Sequence, residues 1–148
     1  MSASPATILL VEDDQDDAFF LQRALEQARP DIPLHITSDG EQALDYLNGQ
    51  GDYSDRATHP LPTVILLDLK LPYFNGFQIL ERLRESPSQA TITVFVLTSS
   101  PEERDRQRAL DLGAKAYLIK PPTPEMLLEI LGPAPYTAPQ QEPSPAGQ

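Results

Sequence analysis

The sequence predicts an α/β fold in which a five-stranded parallel sheet is covered by helices on both faces. Three observations lead there. Short apolar runs alternate five times with longer stretches of helical period along the 148 residues. The strand-like runs are apolar at successive positions, as expected of strands buried on both faces. The connections are long enough to hold helices, and right-handed crossovers then build a parallel, doubly wound sheet.

The elements follow in order. "TILLVE" (Thr7 to Glu12) is a run of strand length, followed by "DDQDDAFFLQRALEQARP". The latter is acidic in its first turn, where the helix dipole favours acids, and stops at Pro30. The pairs Phe20/Ala24 and Leu21/Leu25 mark its inward face at i, i+4 spacing. "LHITS" (Leu34 to Ser38) is a second strand, and "DGEQALDYLNGQG" a short helix with Ala43, Leu44 and Leu47 inward. Gln50 to Pro62 is a polar, turn-rich loop within the domain. "TVILLDL" is the third strand, and "NGFQILERLRES" a helix with Phe77, Leu80 and either Ile79 or Leu83 inward. "TITVFVLTSS" is the fourth strand, and "PEERDRQRALDLG" a helix with Pro101 at its start and Gly113 after its end. "KAYLIK" is the fifth strand, and "TPEMLLEILG" the last helix, with Thr123 as N-cap and Pro124 in its first turn. Residues 1–5 and the Pro-rich segment 132–148 lack apolar groups to pack and are expected to be disordered, leaving 6–131 as the domain.

Composition narrows the function. The chain has no cysteine, which excludes disulfides and thiolate metal sites. The start of the chain has no basic region before its apolar run, so it does not read as a signal peptide, and no apolar segment is long enough for a membrane span. A cytoplasmic protein is the expectation. A net charge of −11 weighs against direct binding to nucleic acid or an anionic membrane surface.

In open parallel sheets, ligands bind outside the carboxyl ends of the strands. That rim receives Glu12, Asp13 and Asp14 from the first strand and Asp68 from the third. It also receives Thr98 and Ser99 from the fourth strand and Lys120 from the fifth. Each has an ordinary explanation alone: acids suit a helix start, hydroxyls cap loops, and lysines are usually solvated. Their arrival at one edge from four strands is what points to chemistry. Carboxylates so close repel unless a cation joins them, and hard oxygen ligands of this kind suit Mg²⁺.

The stretches "ILLVEDD", "VILLDLKLPYFNGFQIL", "VFVLTSS" and "GAKAYLIKP" resemble the receiver domains of two-component response regulators. The resemblance implies a flavodoxin-like (βα)5 sandwich with strand order 2-1-3-4-5. It implies that Asp68 is the phosphoacceptor, that Asp13 is a direct Mg²⁺ ligand, and that Glu12 acts through water. The backbone carbonyl of Lys70 is a further implied ligand. Thr98 would follow the phosphoryl group, Tyr117 would turn with it as the switch aromatic, and Lys120 would pair with phosphoryl oxygens. The Lys120–Pro121 bond is expected to be cis. Glu12 stands where the family more often has aspartate. Lys70 lies near the approach of an attacking water, and Lys70 and Ser100 are expected to tune dephosphorylation.

With no further domain read after Leu131, the expectation is a stand-alone regulator that catalyses only its own phosphorylation and dephosphorylation. Its output would be a protein–protein contact or a phosphorelay step. The loop "NGQGDYSDRATHPLP" and the Pro-rich end resemble the single-domain regulators paired with phytochrome-type histidine kinases. Such a sensor kinase, a downstream protein or phosphotransfer partner, and a homodimer through helix 4, strand 5 and helix 5 are the implied partners. The rival readings are a binding-only pseudo-receiver and an aspartate-nucleophile phosphatase. The latter wants a second acid where Lys70 stands.

Overall fold

The computed structural model describes residues 6–132; the expectations for residues 1–5 and for 133–148 lie outside the described residues. The element order is β1 (Ile8–Val11), α1 (Gln15–Ala28), β2 (Leu34–Thr37), α2 (Gly40–Asn48), β3 (Val64–Leu67), α3 (Gly76–Glu85), β4 (Thr93–Thr98), α4 (Glu103–Asp111), β5 (Ala116–Ile119) and α5 (Pro124–Leu131). All strand pairs are parallel, in the order β2-β1-β3-β4-β5. This is the expected fold.

Alternation along the strands divides the core in two. Leu9, Val11, Ile65, Leu67, Val94 and Val96 face one side, against Ala43 and Leu47 of α2, Ile79, Leu80 and Leu83 of α3, and Ala109 of α4. Ile8, Leu10, Val64, Leu66, Phe95 and Leu97 face the other, against Leu21 and Leu25 of α1 and Leu127 and Leu131 of α5. Each fully buried aliphatic side chain contributes about 1.5–3 kcal/mol relative to exposure. The central strand β3 is buried at every position, which is why its sequence shows no alternation.

Some inward assignments differ from expectation. Phe20 is 60% exposed, because the stripe buried on α1 is Ala18, Leu21, Ala24 and Leu25. On α2, Leu44 is only half-buried and Tyr46 takes its place in the core, its hydroxyl donating to the Pro60 carbonyl at 3.0 Å. On α3, Ile79 and Leu83 are both buried, while Phe77 is half-buried under the Arg108 guanidinium. Helix α4 begins at Glu103, not at Pro101. Its N-cap residue, Glu102, gives no side-chain cap; Ser100 Oγ accepts from the Glu102 N–H instead, at 3.3 Å. The loop after α2 includes a single 3₁₀ turn, Gly51–Tyr53. Arg56 from this loop donates to the carbonyls of Tyr46 and Leu47 at 2.8 Å each, satisfying acceptors that the end of α2 leaves open.

Register places the rim. Val11 is level with Leu67, and the Asp68 N–H donates to the Val11 carbonyl, so Glu12 and Asp68 leave the sheet side by side. Thr98 is level with Ile119, and the Lys120 N–H donates to the Thr98 carbonyl at 2.9 Å. The loop from Asp68 to Asn75 is gripped by glycines at the first position of two helices. A Cβ on Gly76 would lie 2.6 Å from the Asp68 carbonyl oxygen, and one on Gly40 would collide with the Phe74 carbonyl oxygen. Gly76→Ala should therefore cost about 1–3 kcal/mol in urea unfolding, the usual penalty of forcing atoms into a packed contact. An unchanged midpoint would show that the loop yields freely.

Candidate functional site

Each rim residue arrives by a short path. Glu12 follows β1 directly, and its backbone N–H is held by the Thr37 carbonyl at 3.0 Å. Its Oε2 accepts the Asp14 N–H at 3.1 Å, while Asp14 Oδ1 accepts the Asp17 N–H and caps α1. Asp14 is thus spent on the helix and stands apart from the acid group. Glu12, Asp13 and Asp68 each offer an oxygen within 4.8 Å of the others, with Glu12 and Asp68 buried and Asp13 exposed. Asp68 Oδ1 accepts the Lys70 N–H at 3.1 Å, which fixes one carboxylate oxygen to its own loop.

Lys120 closes the cluster. Its Nζ donates to Glu12 Oε1 at 2.6 Å, to Asp17 Oδ2 at 2.8 Å and to Asp68 Oδ2 at 3.2 Å. The Lys120–Pro121 peptide bond is cis, as expected. Burial alone would push the Lys120 ammonium toward neutrality, but the hydrogen bonds to Asp17 and Glu12 and the charges of Asp68 and Glu12 hold it well above its usual range. Burial pushes Glu12 the other way, to about 7, against the hydrogen bonds from Lys120 and the Asp14 N–H; the Asp68 charge adds to the rise. The group that changes charge near neutrality is therefore Glu12, while Lys120 stays cationic.

The other expected residues form a second group beside the first. Thr98 is fully buried, and its Oγ1 accepts the Ser100 N–H at a long 3.4 Å. Tyr117 is half-buried and donates its hydroxyl to the Ser100 carbonyl at 2.8 Å; burial raises its phenol above the ordinary value. The buried Ser100 donates its hydroxyl to Asp105 of α4 at 2.8 Å. The Lys70 side chain is exposed at the rim. The residue that sequence reasoning did not single out is Asp17, which read only as an acid in the first turn of α1. Its one signal is spacing: it stands four residues, about one helical turn, after Asp13.

The donor set fits a hard divalent cation. Three carboxylates, from Glu12, Asp13 and Asp68, each bring an oxygen within 4.8 Å of the others, two of them buried, and the Lys120 ammonium contacts Glu12 and Asp68 but not Asp13. An all-oxygen group short of positive charge is the type of site Mg²⁺ takes, and waters complete its coordination.

Residues 8–132 match the family described as the response regulator receiver domain. The chain belongs to this family. It is 38% identical over 119 residues to the response regulator Rcp1 of Synechocystis sp., covering 80% of this chain and 79% of that protein. A crystal structure of the Mn²⁺-bound form of a response regulator Rcp1 superposes with a TM-score of 0.77 at 33% identity, covering 91% of this chain and 99% of that one. The bacteriophytochrome response regulator RtBRR gives 0.78 at 40% identity, covering 96% and 86%. The phosphorylated cyanobacterial phytochrome response regulator RcpA gives 0.74 at 31% identity, covering 86% and 89%. The chain is thus a receiver of the Rcp1 type, similar to phytochrome-associated regulators.

Receivers of this family are signalling proteins that work with histidine kinases or other phosphodonors, and they bind Mg²⁺ through acidic residues. Among the described residues of this receiver, no helix is long and apolar enough to cross a membrane.

The raised Glu12 carboxyl has a consequence for stability. Between the unfolded value of 4.5 and the folded value of about 7, the folded receiver holds a proton that the unfolded chain has released. That contribution is full below 4.5 and is lost as the pH rises through about 7. In chelator, the stability of the wild type relative to Glu12→Gln should fall by up to about 1.4 kcal/mol per pH unit over this window and level off above it. Denaturant melts at a series of pH values measure this; parallel curves for the two proteins would contradict it.

Proposed function

We propose that this receiver accepts a phosphoryl group on Asp68 from a sensor histidine kinase and signals through a phosphorylation-dependent change in protein–protein contacts. The observation that carries the reading is the convergence of Asp68 with Glu12, Asp13 and Lys120 at one strand-end rim. Phosphoryl transfer to a carboxylate needs positioning and charge neutralisation more than covalent help from the protein.

The chain's own residues divide the work. A carboxylate oxygen of Asp68 forms the new bond to phosphorus as the bond to the donor breaks, and the donor leaves with the electron pair. Asp13, Asp68 and the Lys70 backbone carbonyl are the residues that would hold Mg²⁺, with Glu12 acting through a water. The ion, when bound, supplies positive charge against the phosphoryl oxygens. Lys120 supplies the second positive charge. Lys70, exposed beside Asp68, and Ser100, on the loop after β4, tune the lifetime of the phosphorylated state.

Readout starts at Thr98. A phosphoryl oxygen gives its hydroxyl an acceptor, and moving toward it breaks the weak bond from the Ser100 N–H. Ser100 also carries the Tyr117 anchor and the contact to Asp105, so a shift in the loop reaches β5 and α4 together. The surface of α4, β5 and α5 is then the output face and the homodimer contact. The likeness to proteins described as phytochrome response regulators supports a phytochrome-type kinase as the donor, acting in the cytoplasm, with a downstream protein or phosphotransfer partner.

Incubation with Mg²⁺ and acetyl phosphate, read by intact mass, should add one phosphoryl group of roughly 80 Da, absent in Asp68→Asn. No adduct with either acetyl phosphate or a phosphorylated kinase would favour a binding-only pseudo-receiver. Sustained turnover of a generic phosphate ester would favour a phosphatase. Once labelled, Lys70→Ala and Ser100→Ala should lose the phosphoryl group at rates different from wild type; unchanged rates would remove the tuning role.

A further inference from the structure

An ammonium has three N–H donors, and all three on Lys120 are engaged: with Glu12, with Asp17 and with Asp68. To reach a phosphoryl oxygen, the side chain must release a partner. The three carboxylates differ in how easily they can be left. Those of Glu12 and Asp68 are 4% and 8% exposed, so an unpaired charge there is expensive. Asp17 is 43% exposed and water can solvate it at once. It borders an opening of about 220 Å³ that Phe20, Lys120 and Pro121 also line, so its carboxylate has somewhere to turn. Nor does α1 need that carboxylate, since Asp14 already caps the helix through the Asp17 N–H.

We propose that Asp17 is a positioning residue that draws Lys120 toward α1 in the resting receiver, and that exchange of this contact for the phosphoryl group sets how readily Asp68 is phosphorylated. The inference rests on the phosphoacceptor reading above. The Lys120–Asp17 bond exists before transfer and is given up during it, so it stabilises only the starting state. An interaction of that kind slows the step and leaves the lifetime of the product unchanged. Its negative charge also opposes an incoming phosphate. Removing Asp17 therefore speeds phosphorylation, the opposite of what damage to a site produces.

The test is phosphorylation by acetyl phosphate with Mg²⁺ and subsequent loss of the label, both followed by intact mass, in wild type and in Asp17→Ala, Asp17→Asn, Asp17→Glu and Asp16→Ala. Asp17→Ala and Asp17→Asn should label about twofold to fivefold faster, the range expected for a half-exposed ion pair, and lose the label at the wild-type rate. Asp17→Glu, which restores a carboxylate within reach, should return toward wild type. Asp16→Ala removes an exposed acid from the same helical turn and should change neither rate. Wild-type labelling with no acceleration in Asp17→Ala and Asp17→Asn would overturn the proposal while leaving the phosphoacceptor reading intact. Equal acceleration in Asp16→Ala would overturn it in favour of a general charge effect. A wild type that takes no label from acetyl phosphate or from a phosphorylated kinase would remove the reading and this proposal together.

Discussion

The Nζ of Lys120 joins carboxylates from three separate segments: Glu12 after β1, Asp17 on α1 and Asp68 after β3. Much of the local architecture serves that meeting. One positive charge is set against three contacting acids, with Asp13 close by, in a setting where two of the acids are buried. Buried charges are costly unless paired and hydrogen-bonded, so the cluster holds only because each member has a specific partner. Burial, with the Asp68 charge adding to it, still pushes the Glu12 carboxyl to about 7.

The backbone makes this geometry hard to escape. Parallel pairing brings Val11 level with Leu67, and the Asp68 N–H is bound to the Val11 carbonyl, so neither acid can slide along the sheet. The Lys120 N–H is bound to the Thr98 carbonyl, tying the lysine to the strand that carries the buried hydroxyl. The loop beyond Asp68 is held between Gly40 and Gly76, where any side chain would strike backbone. A sheet with two packed faces thus presents its charged groups along one edge, and the same loops carry local changes outward. Ser100 is the junction: its N–H meets Thr98, its carbonyl Tyr117 and its hydroxyl Asp105.

Much of this was legible in the sequence because a parallel sheet imposes a rule. Continuous apolar runs locate the strands, and the first charged residues after them mark the rim; Glu12, Asp13, Asp68 and Lys120 follow from that alone. What periodicity left unresolved was which side of a helix the core would take. Phe20 fitted an i, i+4 pair with Ala24, yet the stripe through Ala18, Leu21 and Leu25 is the buried one. Tyr46 was not among the inward residues read on this helix, but the loop after α2 supplies the Pro60 carbonyl that lets its hydroxyl be buried. Pro101 carried a helix-start signal, and the Ser100 hydroxyl moved the start two residues on. Asp17 was hidden for a similar reason: an acid in a first helical turn has a sufficient local explanation, and only the position of Lys120 reveals another.

The shortage of positive charge at the rim is tested most directly by calorimetric titration of Mg²⁺ into the receiver at pH 8, where Glu12 is ionised. One ion per chain is expected, with affinity reduced at least about tenfold in Asp13→Asn, on the scale seen when groups supporting a metal site are lost. Lys120→Met should bind at least as tightly as wild type, because it frees acids that the ammonium now occupies. Absence of saturable binding, or equal binding by wild type and Asp13→Asn, would contradict the account.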